Sequence, residues 1–173
     1  LTSEQAISPE GIRVAGRPIR LTPHNCFACG SLNAHGLQLE LHAEADTCWT
    51  ELALDPRFEG WEGIAHGGIV CTILDEVMAW ALVDHDVWGL TARMQVEFKR
   101  PVPIGRPIRA EGRVTETRRR IVTASGRIID AGTGQVLATS EATYVGANEA
   151  RKAELKARYG YGEADLPGSG AIG

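Results

Sequence analysis

The stretch HGGIVCTILDEVMAWALV, residues 66–83, decides the fold. From Ile69 to Val83, 12 of 15 residues are apolar. At about 100° per residue they go round the whole circumference of a helix instead of forming one stripe. Such a helix is expected to be enclosed by protein. Thr72, Asp75 and Glu76 interrupt the run, and it is shorter than the ~20 apolar residues of a membrane span, so it reads as a core helix.

Working outward, Leu37–Leu41 alternates with period two, and Cys48–Leu54 follows after an Ala45-Asp46 turn, which predicts a hairpin before the helix. Residues 55–63 hold Pro56, Gly60 and Gly63, a loop composition that delivers the chain to His66. After the helix come four further period-two segments, Ala92–Phe98, Ile108–Val114, Ile121–Ile129 and Gln135–Val145. The links between them, around residues 101–105, 118–120 and 131–134, are short enough to predict antiparallel meandering neighbours rather than βαβ crossovers. Strands, one long apolar helix and then more strands form an α+β pattern. The expected fold is an antiparallel sheet of about five or six strands wrapped around one long central helix, the hotdog arrangement.

At 173 residues, 43% hydrophobic and 23% charged, the chain suits one ordinary soluble domain. The expected organisation is a peripheral N-terminal segment over residues 1–20, a hotdog domain over 21–146, and a C-terminal helix and flexible tail over 147–173. A net charge of −4 offers no general attraction to nucleic acid, no apolar stretch suits a membrane, and no secretory signal is visible, so a cytoplasmic location is expected. The four cysteines are too few and too irregularly spaced for a disulfide framework and read as reduced thiols.

Gly67 and Gly68 stand where the first N–H groups of the helix lack intrahelical partners and the helix dipole is positive, so an oxyanion would be favoured there. Glycine also lets a substrate carbonyl approach the backbone closely. His66, Gly67 and Gly68 are therefore candidate catalytic residues, against the plainer reading that makes His66 a helix cap and the glycines a packing device. Asp75 adds weight to the chemical reading, because aspartate is a poor helix-interior residue and its apolar neighbours offer no charge partner. Glu76 competes with it, pointing about 100° away, and sequence alone does not say which carboxylate is the catalyst and which makes a buried polar contact or reaches the surface. Gly67 and Asp75 lie roughly 12 Å apart along one helix, whereas a reacting carbon needs its attacking atom within ~3–3.5 Å. Each site is therefore expected to join Gly67 of one subunit with Asp75 of another, which requires at least a homodimer.

HGGIVCTILDE, residues 66–76, resembles the signature of hotdog thioesterases of the phenylacetate-pathway (PaaI) type. The resemblance implies hydrolysis of an acyl- or aryl-CoA thioester to free acid and CoA, with Asp75 as nucleophile or general base and the Gly67 N–H as oxyanion donor. LTARMQVEFKRPVPIG, residues 90–105, is similar to the strand and turn of mammalian relatives that hydrolyse long-chain acyl-CoA. A catalytic threonine sixteen residues after the aspartate falls there on Thr91. CFACGSLNAHGLQL, residues 26–39, resembles the lead-in of many members, some of which use an asparagine near the nucleophilic water. That makes Asn33 a candidate. By the same likeness coenzyme A is part of the substrate, no separate cofactor is needed, and the assembly is a dimer of dimers.

Alternation places Ala92, Met94, Val96 and Phe98 on the core face and Arg93 and Lys99 outward, so these two are candidate contacts for CoA phosphates. Arg118, Arg119 and Arg120, at a predicted hairpin tip, are alternatives whose planar donors suit phosphate oxygens. Thr91 shares the outward parity of Arg93, which argues against its role unless the regular strand begins after it. His24, Cys26, Cys29 and His35 together could supply four zinc ligands. A second paired knuckle is missing, and the resembling family contains this segment without needing metal, so no metal site is expected. Trp61, Trp80 and Trp88 read as packing around the helix. Two other functions share the fold, a hydratase or dehydratase using an Asp and His pair, and an acyl-CoA-binding module without catalysis.

Overall fold

The computed structural model describes residues 17–19 and 21–159. Strands β1 (Arg17–Pro18), β2 (His42–Glu44) and β3 (Thr47–Ala53) precede a small two-stranded ribbon of β4 (Glu59–Trp61) and β5 (Ile64–Ala65). Helix α1 (Gly67–Ala81) follows, and then β6 (Gly89–Phe98), β7 (Pro107–Arg118), β8 (Ile121–Asp130), β9 (Val136–Gly146) and helix α2 (Glu149–Tyr159). All pairings in the main sheet are antiparallel, in the order β1-β2-β3-β7-β8-β9-β6, and the sheet carries α1 against one face. This is the expected α+β hotdog architecture, with two-residue β1 added to the six longer strands.

The helix and sheet meet at close range because glycine permits it. A Cβ on Gly112 of β7 would lie 2.3 Å from the Val77 carbonyl oxygen of α1, so helix backbone rests directly on strand backbone there. Around that contact, Val70, Ile73, Leu74, Val77, Met78 and Ala81 pack on Ile108, Ala110, Val122, Ala124 and Ile128.

Three local expectations are corrected. Leu37–Leu41 is not a ladder strand, although Leu39 and Leu41 are buried as the alternation predicts. Gln38 adopts φ 50°, which breaks the extended run, and the N–H groups of Leu37 and Leu39 bond the carbonyls of Phe27 and Ala28 instead of a neighbouring strand. The hairpin around Ala45-Asp46 therefore starts at His42, paired with Trp49. Second, β6 does not neighbour β7 but lies at the far edge, paired with β9. The link after Phe98 crosses the sheet, which is sterically easy, since eight extended residues reach about 26 Å whereas three inter-strand spacings are about 14 Å.

Third, α1 is not enclosed all round within the chain. The sheet covers one stripe, while Thr72 and Ala79 on the opposite side and Asp75 at its flank are half-buried. One sheet face can cover only one side of a helix.

Helix α2 packs Leu155 and Tyr159 against the group of Ala43, Val83 and Trp88. The expected tail beyond it and most of the peripheral N-terminal segment lie outside the described residues. No described helix is long and apolar enough to cross a membrane.

Candidate active site

The chain enters α1 through His66, whose extended backbone and ring make it the N-cap: Nδ1 accepts the Gly68 N–H at 2.9 Å. The plainer reading of His66 is thus what the structure shows, and Gly68 is occupied as a donor. Among the described residues, no hydrogen bond takes the Gly67 N–H. It stands at the positive end of the helix dipole, in a half-buried position flanked by the Phe98 ring, whose Cζ lies 3.5 Å from where a Cβ would be.

Two turns along, Asp75 accepts two hydroxyl hydrogen bonds on one oxygen. Thr91 Oγ1 donates to Oδ1 at 2.8 Å and the Tyr144 hydroxyl donates to the same atom at 3.0 Å. Oδ2 has no hydrogen bond among the described residues. Burial, and then the Asp75 carboxylate beside it, push the Tyr144 phenol above the ordinary tyrosine range, so Tyr144 stays a protonated donor at neutral pH. A carboxylate clamped through one oxygen presents the other in a fixed direction.

Thr91 reaches Asp75 because β6 carries a bulge. The register runs Thr91↔Tyr144 and then Arg93↔Thr143, leaving Ala92 as the extra residue. Beyond the bulge Met94 and Val96 pack on the core; before it, Thr91 shares the inward direction of Tyr144. The outward parity expected from simple alternation is therefore overturned for Thr91.

Glu76 points elsewhere. Its Oε1 accepts the Trp80 indole N–H at 2.8 Å, and Oε2 lies 4.0 Å from Cys26 Sγ. Burial first, with Cys26 next, pushes this carboxyl up to about 7. Of the two carboxylates left open by the sequence, Glu76 is the one in a buried polar contact, and Asp75 is the one on the half-open face.

The sequence profile of the thioesterase superfamily matches residues 62–137, from the loop before α1 into β9. A crystal structure of a thioesterase superfamily protein superposes with a TM-score of 0.66 at 27% identity, covering 70% of this chain and 60% of that one. Residues 62–137 thus match the thioesterase superfamily, and the fold around them is the hotdog. Zebrafish thioesterase superfamily member 2 shares the fold at TM-score 0.62 and 18% identity, over 68% of this chain and 90% of that one. So does a hypothetical thioesterase from Streptococcus pneumoniae solved with coenzyme A, at TM-score 0.57 and 14% identity, over 60% and 82%. No curated protein matches the sequence.

The hotdog domain does not gather the other candidates around Asp75. Asn33 stays within its own loop, its Oδ1 accepting the His35 N–H and its Nδ2 reaching the Asn25 carbonyl. Lys99 pairs with Glu97, and Arg118 with Glu116. Arg119, at φ 53°, turns the β7–β8 hairpin, and Arg120 donates to the Gly146 carbonyl. Arg93 is exposed on β6. That hairpin tip stands at the same sheet end as Thr91, since Ile121 faces Val145 beside Tyr144. Tyr144 itself escaped sequence reading. Its inward parity on β9 was available, and a buried tyrosine hydroxyl needs a polar partner, but only the packed helix identifies that partner.

Proposed function

We propose that this protein hydrolyses an acyl- or aryl-CoA thioester, with Asp75 as nucleophile or general base and the Gly67 N–H of a second subunit as oxyanion donor. The observation that carries the proposal is the Asp75 carboxylate, held through Oδ1 by Thr91 and Tyr144 with Oδ2 unengaged. As general base, Oδ2 takes a proton from water while the water oxygen bonds to the thioester carbon. The carbonyl electrons move onto oxygen beside the donor N–H, and collapse expels CoA as thiolate, which takes the proton back. As nucleophile, Oδ2 attacks the thioester carbon and expels CoA as thiolate, leaving an anhydride that water opens to the free acid and the Asp75 carboxylate, with the released proton going to the thiolate. The superfamily match and a structural neighbour holding coenzyme A support the substrate class.

Two features support a site shared between copies. Gly67 and Asp75 are eight residues apart on one helix, so their spacing of roughly 12 Å exceeds what one reacting carbon spans. Strand β6 is a ten-residue edge strand, with Leu90 82% and Phe98 56% exposed. Long unpaired edges with apolar side chains favour pairing with another strand. A homodimer across β6 and α1, itself paired into a dimer of dimers, is the assembly proposed.

The test is CoA release from an acyl-CoA panel followed with a thiol reagent, comparing the natural chain with Asp75→Asn. Release by the natural chain and its loss in a folded variant is the expected result. Hydration without release would make the protein a hydratase, binding without turnover an acyl-CoA-binding module, and undiminished release by Asp75→Asn would remove Asp75 from the mechanism.

A further inference from the structure

Outside the Asp75 site, the structure gathers soft metal ligands where the lead-in loop meets α1. The ligand atoms of His24, Cys26 and Cys29 all lie within 4.8 Å of one another, with Cys29 Sγ 3.4 Å from His24 Nε2. Glu76 comes to the same place from the helix, its Oε2 4.0 Å from Cys26 Sγ. We propose that His24 Nε2, Cys26 Sγ, Cys29 Sγ and a Glu76 carboxylate oxygen form a structural zinc site that fastens the lead-in loop to the central helix.

The distances suit the ion. Tetrahedral zinc with bonds of ~2.3 Å to sulfur and ~2.05 Å to nitrogen or oxygen has ligand-to-ligand edges of roughly 3.3–3.8 Å. The Cys29–His24 edge of 3.4 Å and the Cys26–Glu76 edge of 4.0 Å need only a few tenths of an ångström of adjustment, while the remaining edges among His24, Cys26 and Cys29, bounded at 4.8 Å, close by up to about 1 Å as the ion draws its ligands in.

The surroundings are also those of a built site. His24 is buried, and its other ring nitrogen, Nδ1, lies 2.9 Å from the Thr22 carbonyl. That contact fixes the tautomer with Nε2 free to coordinate, the usual arrangement behind a ligating histidine. The Gly30 N–H donates to the Cys26 carbonyl at 3.0 Å, which closes the loop back on that cysteine. Immediately after Cys29, a Cβ on Gly30 would fall within 2.5 Å of the Cys26 backbone and the His24 carbonyl, so the tight Cys-x-x-Cys-Gly turn admits only glycine. The carbonyls of Phe27 and Ala28 bind Leu37 and Leu39, which anchors the turn from its other side.

His35, the fourth ligand that spacing alone suggested, is exposed in the loop and is not in the cluster. Glu76 also lies outside that three-residue cluster, but unlike His35 it approaches Cys26, fifty residues earlier in the chain, through Oε2. Four protein ligands leave no open position, so the ion's role is structural rather than catalytic. Binding requires Cys26 and Cys29 as thiolates and releases their protons to solvent.

The test uses the full chain with any tag removed. Elemental analysis after gel filtration is expected to give about one zinc per chain. Cobalt exchange is expected to give thiolate-to-cobalt charge transfer together with the intense visible bands of a tetrahedral ion. Cys26→Ser should abolish the charge-transfer intensity or halve it. Glu76→Gln should weaken cobalt binding at least about tenfold, while His35→Ala should change neither. Because the cysteine variants can fail to fold, the cobalt spectrum of the natural chain decides independently. Metal-free protein that gives no cobalt bands, with Cys26 and Cys29 oxidised to each other or titrating freely in the presence of zinc, would overturn the site. Loss of binding in His35→Ala with Glu76→Gln unchanged would overturn Glu76 as the fourth ligand.

Discussion

Replacing Tyr144 with Phe removes one of the two hydroxyls that hold Asp75 Oδ1 and keeps the ring that fills the core. Tyr144 is 1% exposed, so water does not readily take the place of its hydroxyl. A hydrogen bond to a charged group contributes about 1.5–3 kcal/mol. If that contribution is needed to aim Oδ2 at the transition state, kcat falls roughly 10- to 150-fold. Thr91→Val removes the other donor, but on the exposed side, where water can substitute. Water substitution brings its loss down to the range of ordinary neutral hydrogen bonds, about 0.5–1.5 kcal/mol, or roughly 2- to 13-fold in kcat. With both gone the carboxylate is free to rotate, so the double variant should lose more than the product of the singles, with a coupling of about 0.5–3 kcal/mol. Steady-state CoA release gives kcat and KM for the four proteins, and thermal unfolding checks that each is folded. An unchanged kcat in Tyr144→Phe, or strict additivity in the double variant, would refute the clamp.

Three further outcomes are expected. Co-expressed Gly67→Val and Asp75→Asn chains, each inactive as homodimers, should recover about a quarter of natural activity, because half of randomly paired dimers are mixed and each mixed dimer restores one of two sites; no recovery in isolated mixed dimers would argue against a shared site. Gly112→Ala drives a Cβ into the Val77 carbonyl and should cost about 3 kcal/mol or more, lowering Tm by roughly 6–12 °C; a shift under roughly 2 °C would mean that helix and strand can separate at no cost. For Glu111, burial pushes the carboxyl up, but hydrogen bonds and charge from Arg109 and Arg127 outweigh it and hold the group below its ordinary 4.5. A lowered carboxyl contributes stability above that value and loses it as pH falls through the folded one. Urea midpoints should therefore drop below about pH 4.5 more steeply in the natural chain than in Glu111→Gln, and parallel curves would exclude the ion cluster as the cause.

Much of this architecture was legible in residues 66–83 and the strands around them. An apolar fifteen-residue run cannot stay exposed in water, and period-two segments joined by short links can cover it only as an antiparallel sheet. The cap at His66, the unbonded N–H of the glycine after it and the Asp75 carboxylate followed from helix geometry and the cost of a charge among apolar neighbours. Strand order did not follow, because a link that makes a turn and a link that crosses a sheet end have the same length. Simple alternation also misplaced Thr91, since a bulge at Ala92 reverses parity without leaving a mark in the composition of β6.

What the sequence by itself determined was the class of fold and the residue types placed on one helix, because periodicity and burial are properties of local chain. Which groups meet was decided only by tertiary structure. Thr91 and Tyr144 converge on Asp75 from strands 16 and 69 residues away, and Glu76 meets the Cys26 loop across 50. Contacts of that separation depend on register, bulges and the angle at which a helix crosses a sheet, and none of these is encoded by spacing along the chain.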